Sequence, residues 1–90
     1  MVEVRLAAPL RPIVGGVQTV SAEGRNLKEV LNNLGVNYPG FRERVLEPDG
    51  NIKSSIYIFL NAEDVGFLKG IETPVEGGDV VMILPAVAGG

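Results

Sequence analysis

The sequence ends in Gly89-Gly90, and the residues before this pair, from Ile83 to Ala88, carry no charge. Glycine has no Cβ, so a Gly-Gly ending can pass through a slot too narrow for other residues and can adopt backbone angles that they avoid. These properties suit the delivery of the Gly90 carboxylate into the active site of another protein. Chain ends are often small and poorly ordered, so an ending without a function is the alternative interpretation.

Residues that could perform catalysis are scarce in the chain. It contains no cysteine and no histidine, which excludes a thiol nucleophile, an imidazole general base and a zinc site built from the usual ligands. Ser21, Ser54 and Ser55 do not lie in a nucleophile-elbow motif, and no glycine-rich phosphate-binding motif is followed by lysine. We therefore expect no catalytic residue of the chain's own, no metal and no bound cofactor.

Composition predicts one small domain. Hydrophobic residues make up 46% and charged residues 21% of the 90 residues, as in a compact globular domain. No apolar run approaches the roughly 18 residues of a membrane span, and the start, Met1 to Arg5, is not a signal peptide, so we expect a cytoplasmic protein. A net charge of −3 lacks the basic footprint of nucleic-acid binders, and we expect neither nucleic acid nor membrane as a partner.

Alternation of residue types predicts a hairpin at the start of the chain. Val2, Val4 and Leu6 alternate with charged residues, which is typical of a strand with one buried face. Residues 7–14 contain two prolines, which oppose regular structure, and a glycine pair then turns the chain into a second strand at residues 17–21. The loop of this hairpin is therefore predicted to be wide and irregular.

The next segment has the period of a helix. Its apolar residues at positions i, i+3, i+4 and i+7 form one stripe: Leu27, Val30, Leu31 and Leu34. Asn26 and Glu29 resemble a capping box at the start, and Gly35 is predicted to end the helix as a C′ glycine. A short second helical piece is predicted between Phe41 and Leu46.

β-Branched, aromatic and apolar residues predict further strands in the second half of the chain. Residues 56–60 are β-branched and aromatic, and a short fourth segment follows around Val65. Residues 80–84 are wholly apolar, as in a last strand that is flanked on both sides and lies parallel to the first, and Pro85 should end its ladder. We expect an α+β fold with a mixed sheet of four to five strands and one main helix across one face. The domain should comprise residues 1–84.

At this point two segments resemble a known family. The turn from Glu76 to Val81 and the ending from Pro85 to Gly90 are similar to those of the MoaD/ThiS sulfur-carrier proteins, whose fold is the ubiquitin-like β-grasp. The resemblance spans nearly the whole chain. Residues 10–16 and 61–65 look most like the mycobacterial branch of the family, which supplies sulfur for cysteine synthesis.

The resemblance implies a specific chemistry at Gly90. An E1-like enzyme uses ATP to adenylate the terminal carboxylate, and a sulfur donor converts the acyl-adenylate to a thiocarboxylate. Residues 85–90 would then be a flexible tail, in which Val87, Ala88 and Gly89 lead to the reactive residue. The acceptor would be a cysteine synthase-like enzyme, with the molybdopterin synthase large subunit as the main alternative. Two other functions stay open: a ubiquitin-like modifier joined to lysines, and an interaction module with an inert tail.

Strand alternation also predicts a docking surface. If Val81 and Ile83 face the core, the other side of the sheet carries an apolar set suited to a protein partner: Val80, Met82, Leu84, Tyr57 and Phe59. Alternatively Tyr38, Phe41 or the loop before Val80 folds over this side. Arg11 resembles a family arginine and either pairs with a partner carboxylate or is an ordinary solvated loop arginine.

Overall fold

The computed structural model describes residues 1–86. Within this range five strands form one mixed sheet in the order β2-β1-β5-β3-β4. The strands are β1 (Val2–Leu6), β2 (Thr19–Ala22), β3 (Ile56–Leu60), β4 (Glu63–Asp64) and β5 (Val80–Pro85), and the α-helices are α1 (Leu27–Asn37) and α2 (Phe41–Val45). Short 3₁₀ helices span Ala8–Val14, Val65–Phe67 and Gly70–Glu72. The predicted α+β architecture is confirmed.

The centre of the sheet is the parallel pair of β1 and β5. Val4 lies opposite Val81 in this pair and opposite Val20 in the antiparallel pair with β2. On its other side β5 pairs antiparallel with β3, with Ile58 opposite Ile83. The prediction that the apolar last strand lies between two neighbours and parallel to the first is confirmed.

One face of the sheet is buried under α1. The predicted stripe of Leu27, Val30, Leu31 and Leu34 is at most 1% exposed, and Phe41 and Val45 of α2 extend the same core. Val81 and Ile83 are fully buried on the sheet side of this core. Periodicity therefore predicted the buried faces of β1, α1 and β5 correctly.

The helix start agrees with the prediction, but its end does not. Asn26 Oδ1 accepts a 2.9 Å hydrogen bond from the Glu29 N–H, and Glu29 Oε1 accepts one from Arg25, one residue earlier than in a standard capping box. Gly35 does not end α1, which continues to Asn37. A Cβ at Gly35 would lie 3.4 Å from Arg42 Cβ, so this glycine allows α2 to pack closely against α1.

Three segments outside the core strands differ from the predictions. The proline-containing segment forms the 3₁₀ helix Ala8–Val14, because Pro9 falls in its first turn, where an N–H has no intrahelical partner anyway. The second strand is Thr19–Ala22 and starts two residues later than predicted. The fourth strand is Glu63–Asp64, so that Val65 begins a 3₁₀ helix instead of lying in a strand.

Candidate functional site

The base of the tail is held by the sheet. The N–H of Ala86 donates a 2.7 Å hydrogen bond to the Ser55 carbonyl, and Pro85 lies opposite Ile56, so the ladder with β3 runs past the predicted end at residue 84. On the other side, the Ala7 N–H donates to the Ile83 carbonyl at 3.0 Å. Since alternate residues of a strand point their N–H groups to opposite neighbours, the missing N–H of Pro85 is on the β1 side. Proline therefore ends only the parallel ladder.

The residues predicted to carry the chemistry lie outside the described residues: Gly90, Gly89, Ala88 and Val87. Their attachment point is nevertheless defined. Ala86 leaves the sheet at the end where β1 passes into its 3₁₀ helix, because β1 and β5 are parallel and end together. Residues 87–90 are therefore attached at a defined position, where β5 ends beside the end of β1 and the start of β3.

The face of the sheet opposite α1 is open and apolar. Tyr57 is 47% and Met82 42% exposed, and Val80, Leu84 and Phe59 are half-buried. Met82 lies directly opposite Phe59, and Leu84 opposite Tyr57, so these cross-strand pairs form one continuous patch. We call these five residues the open face.

The sequence left three segments that could fold over the open face: Tyr38, Phe41 and the loop before Val80. Phe41 is fully buried in the core, and Tyr38 packs against the same core. The turn before Val80 closes on itself, because the Asp79 N–H donates to the Glu76 carbonyl at 3.0 Å. Neither aromatic residue covers the open face, and its use as a partner surface stays a prediction.

A charged pair that sequence reasoning did not single out borders the open face. Arg5 of β1 lies opposite Met82 and forms an ion pair with Glu3, and both side chains are largely exposed. Their alternation with Val2, Val4 and Leu6 is the signal that places them on this side of the sheet. The apolar patch therefore has a polar border along β1.

Arg11 lies at the same edge of the sheet as Ala86. Its Nε donates a 3.0 Å hydrogen bond to the Leu6 carbonyl at the end of β1, and the residue is half-buried. Its pairing with a partner carboxylate stays a prediction. Anchoring through Nε holds the guanidinium in one place, which suits recognition of a carboxylate.

Residues 1–86 contain neither a metal-binding cluster nor a membrane-spanning helix. In that range no three histidine, cysteine or acidic side chains lie close enough together to hold a metal ion. No helix in the described part of the chain has the length and apolarity to cross a bilayer.

Comparison with known proteins identifies what the chain is similar to. The model of the ThiS family matches residues 4–90. The sulfur carrier protein CysO of Mycobacterium tuberculosis is 44% identical over 91 residues, which cover 99% of this chain and 98% of CysO. Small archaeal modifier protein 3 of Haloferax volcanii is 32% identical over 90 residues, covering 98% and 97% of the two chains.

Solved structures give the same result. The crystal structure of Mycobacterium tuberculosis CysO has a TM-score of 0.91 and 42% identity, covering 97% of this chain and 100% of that one. A chain in the crystal structure of the Amycolatopsis orientalis BexX/CysO complex has a TM-score of 0.93 and 34% identity, with both chains covered completely. The comparison of structures and the comparison of sequences therefore identify the same relatives.

Proposed function

The chain belongs to the ThiS family and has the ubiquitin-like β-grasp fold, and from this premise we propose that it is a sulfur carrier whose Gly90 is converted to a thiocarboxylate. The observation that carries the proposal is 44% identity to a sulfur carrier protein over 99% of the chain. The Gly89-Gly90 ending supports it, because its slender backbone suits entry into an enzyme's active site.

The proposed chemistry is a two-step activation of the Gly90 carboxylate by an E1-like enzyme. A carboxylate is a poor electrophile, so one of its oxygens first attacks the α-phosphate of ATP, and pyrophosphate leaves. Sulfide (HS⁻) supplied by a sulfur donor then attacks the acyl carbon of the adenylate, AMP leaves, and loss of the remaining S–H proton gives the thiocarboxylate. Both steps need groups that the partner enzyme supplies, in keeping with a sequence without cysteine or histidine. The chain acts as a carrier and not as an enzyme.

The open face and Arg11 are the proposed docking elements. Exposed aromatic and methionine side chains are favoured in protein interfaces, and Tyr57 and Met82 are both more than 40% exposed. Arg11, fixed by its bond to the Leu6 carbonyl, is placed to meet a partner carboxylate at the edge where the tail begins. A complex of a similar chain, the BexX/CysO structure, supports a protein partner for this fold.

We propose a cysteine synthase-like enzyme as the acceptor, since the identity of 44% to CysO exceeds the 32% identity to the archaeal modifier. The molybdopterin synthase large subunit is the alternative acceptor. Similarity to small archaeal modifier protein 3 favours one second function, conjugation of Gly90 to lysine side chains. Because activation consumes ATP, we propose the cytoplasm as the compartment.

The intact mass of protein isolated from its own cells tests the proposal. A carrier is expected to show the mass increase that replacement of one oxygen by sulfur produces. It should return to its original mass when the acceptor enzyme is added with the substrate that takes up the sulfur, because water then restores the carboxylate. Conjugates that yield a Gly-Gly remnant on lysine after digestion would instead establish the modifier function. Unchanged mass and no conjugates would contradict both.

A further inference from the structure

We propose that a pocket beside the base of the tail binds a carboxylate through Arg42 and Lys53. Its proposed occupant is an aspartate or glutamate side chain of the enzyme that receives the tail, so the inference rests on the proposed function. The pocket has a volume of about 350 Å³ and six lining residues: Arg42, Glu43, Leu46, Glu47, Pro48 and Lys53. We call it the Arg42 pocket.

Arg42 has a donor without a partner. Its Nη1 is closed off from solvent and makes no hydrogen bond to any residue in the range 1–86. Buried polar atoms in folded proteins are nearly always paired, and we assign a ligand from outside as the missing partner of this nitrogen. Since Nη1 makes no hydrogen bond, turning the guanidinium toward a ligand in the pocket breaks no hydrogen bond of this nitrogen.

The walls of the Arg42 pocket are fixed by the backbone. A Cβ at Gly35 would lie 3.4 Å from Arg42 Cβ, and one at Gly50 would lie 3.9 Å from Arg42 Nη2, so the side chain runs between α1 and the following turn. The Lys53 N–H donates to the Val45 carbonyl at 3.0 Å. The backbone of Lys53 is therefore anchored to the end of α2 before any ligand arrives.

No carboxylate of the described chain forms a salt bridge with these cations. Glu43 and Glu47 line the pocket, but the one ion pair in residues 1–86 is formed by Arg5 and Glu3. The nearby Asp49 uses both of its oxygens on Asn51, at 3.0 and 3.2 Å. Arg42 and Lys53 thus remain available to an outside anion.

The lining selects the class of anion. A guanidinium binds a carboxylate or a phosphate with two parallel hydrogen bonds. Glu43 and Glu47 repel a doubly charged phosphate more strongly than a singly charged carboxylate. Leu46 and Pro48 add an apolar wall that fits the methylene groups of an acidic side chain. A monocarboxylate on a short apolar stem is therefore the expected ligand.

The pocket lies near the point where the tail leaves the sheet, and this position points to the enzyme that receives the tail. Lys53 precedes by two residues Ser55, whose carbonyl accepts the 2.7 Å hydrogen bond from Ala86. An enzyme that takes up residues beyond Ala86 must approach this edge of the sheet. An acidic residue at the rim of its tail channel would then reach the Arg42 pocket.

The first experiment follows the Nε–H signal of Arg42 by ¹H–¹⁵N NMR while sodium acetate is added to the isolated protein at constant ionic strength. We expect a saturable shift for Arg42 and none for Arg44, which is exposed on the same helix and does not line the pocket. Equal or non-saturating shifts of the two signals would overturn the proposal. Tighter binding of inorganic phosphate than of acetate would overturn the carboxylate assignment.

The second experiment measures affinity for the adenylating enzyme. Arg42→Gln and Lys53→Gln are each expected to weaken the complex about tenfold, whereas the matched control Arg44→Gln leaves it unchanged. Arg42→Lys, which keeps the charge, should restore part of the affinity. If Arg42→Gln lowers the melting temperature strongly, Lys53→Gln decides the outcome. Unchanged affinity of a folded variant refutes the pocket but not the carrier function, which depends on thiocarboxylate formation by the unmodified chain.

Discussion

Asn61 Nδ2 donates a 3.0 Å hydrogen bond to Asp79 Oδ1, which joins the β3–β4 turn to the residue before β5. Asn61 Oδ1 also accepts the Val80 N–H at 3.0 Å, and the other Asp79 oxygen accepts the Glu76 N–H at 2.8 Å. These bonds tie the β3–β4 turn to the start of β5, in the register that places Met82 opposite Phe59. The contact lies at the end of the sheet far from the tail.

Asn61→Ala is expected to lower the free energy of unfolding by about 1–3 kcal/mol, because both side-chain hydrogen bonds are lost at a residue with φ of 50°. Urea unfolding followed by circular dichroism measures the change. The exposed Ser54, whose side chain makes no hydrogen bond within residues 1–86, provides the control Ser54→Ala. A loss as small as that of the control would mean that the turn is held by its backbone alone.

Ala62→Gly is expected to stabilise the protein by about 0.5–1 kcal/mol. Ala62 has φ of 74°, a left-handed conformation that is strained for alanine and not for glycine. The same substitution at Ala7, where φ is −65°, should destabilise, because it only adds freedom to the unfolded chain. Melting temperatures of the two variants that move in the same direction would contradict the strain at Ala62.

Leu31→Ala should cost about 2–5 kcal/mol of unfolding free energy, as for a large side chain removed from a packed core. Leu31 is fully buried in the middle of the α1 stripe, whereas Val36 on the same helix is 81% exposed. Val36→Ala is therefore the control and should change the stability by less than about 0.5 kcal/mol. Similar losses for the two would show that the helix face is misassigned.

Phe59→Ala and Met82→Ala should each weaken binding to the activating or acceptor enzyme by about 1–3 kcal/mol, the range of a buried interface anchor. The two residues face each other on the open face, and Val36→Ala, on the helix side, is again the control. Calorimetric titration measures the affinity, and a melting curve is recorded for each variant. Unchanged affinity with a large loss of stability would assign both residues to the core and move the docking surface toward Arg11.

Removing Gly90, or adding one residue after it, should abolish thiocarboxylate formation while the melting temperature stays unchanged. The reason is that the terminal carboxylate must reach the activating site, whereas the last described contact to the sheet is made by Ala86. Mass spectrometry after incubation with the activating enzyme and a sulfur donor gives the result. Full conversion of the extended protein without trimming would refute the carrier function.

The sequence by itself determined the elements whose signal is local. The stripe from Leu27 to Leu34, the alternation in β1 and the apolar run of β5 each follow from the position of a side chain relative to its own backbone. In the folded protein, the apolar residues at these positions are the buried ones. The resemblance to the MoaD/ThiS family and the Gly89-Gly90 ending belong to this level as well, since both are read from the order of residues.

Tertiary structure decided what depends on partners distant in the sequence. Gly35 carries the signal of a helix end, yet it serves the close approach of Arg42, which no local pattern reveals. Pro85 lacks an N–H in any context, but only the positions of β1 and β3 determine which ladder it ends. The unpaired Nη1 of Arg42 likewise arises from packing between α1 and a later turn. Such outcomes depend on the distances between segments, and these are set by the packed core as a whole.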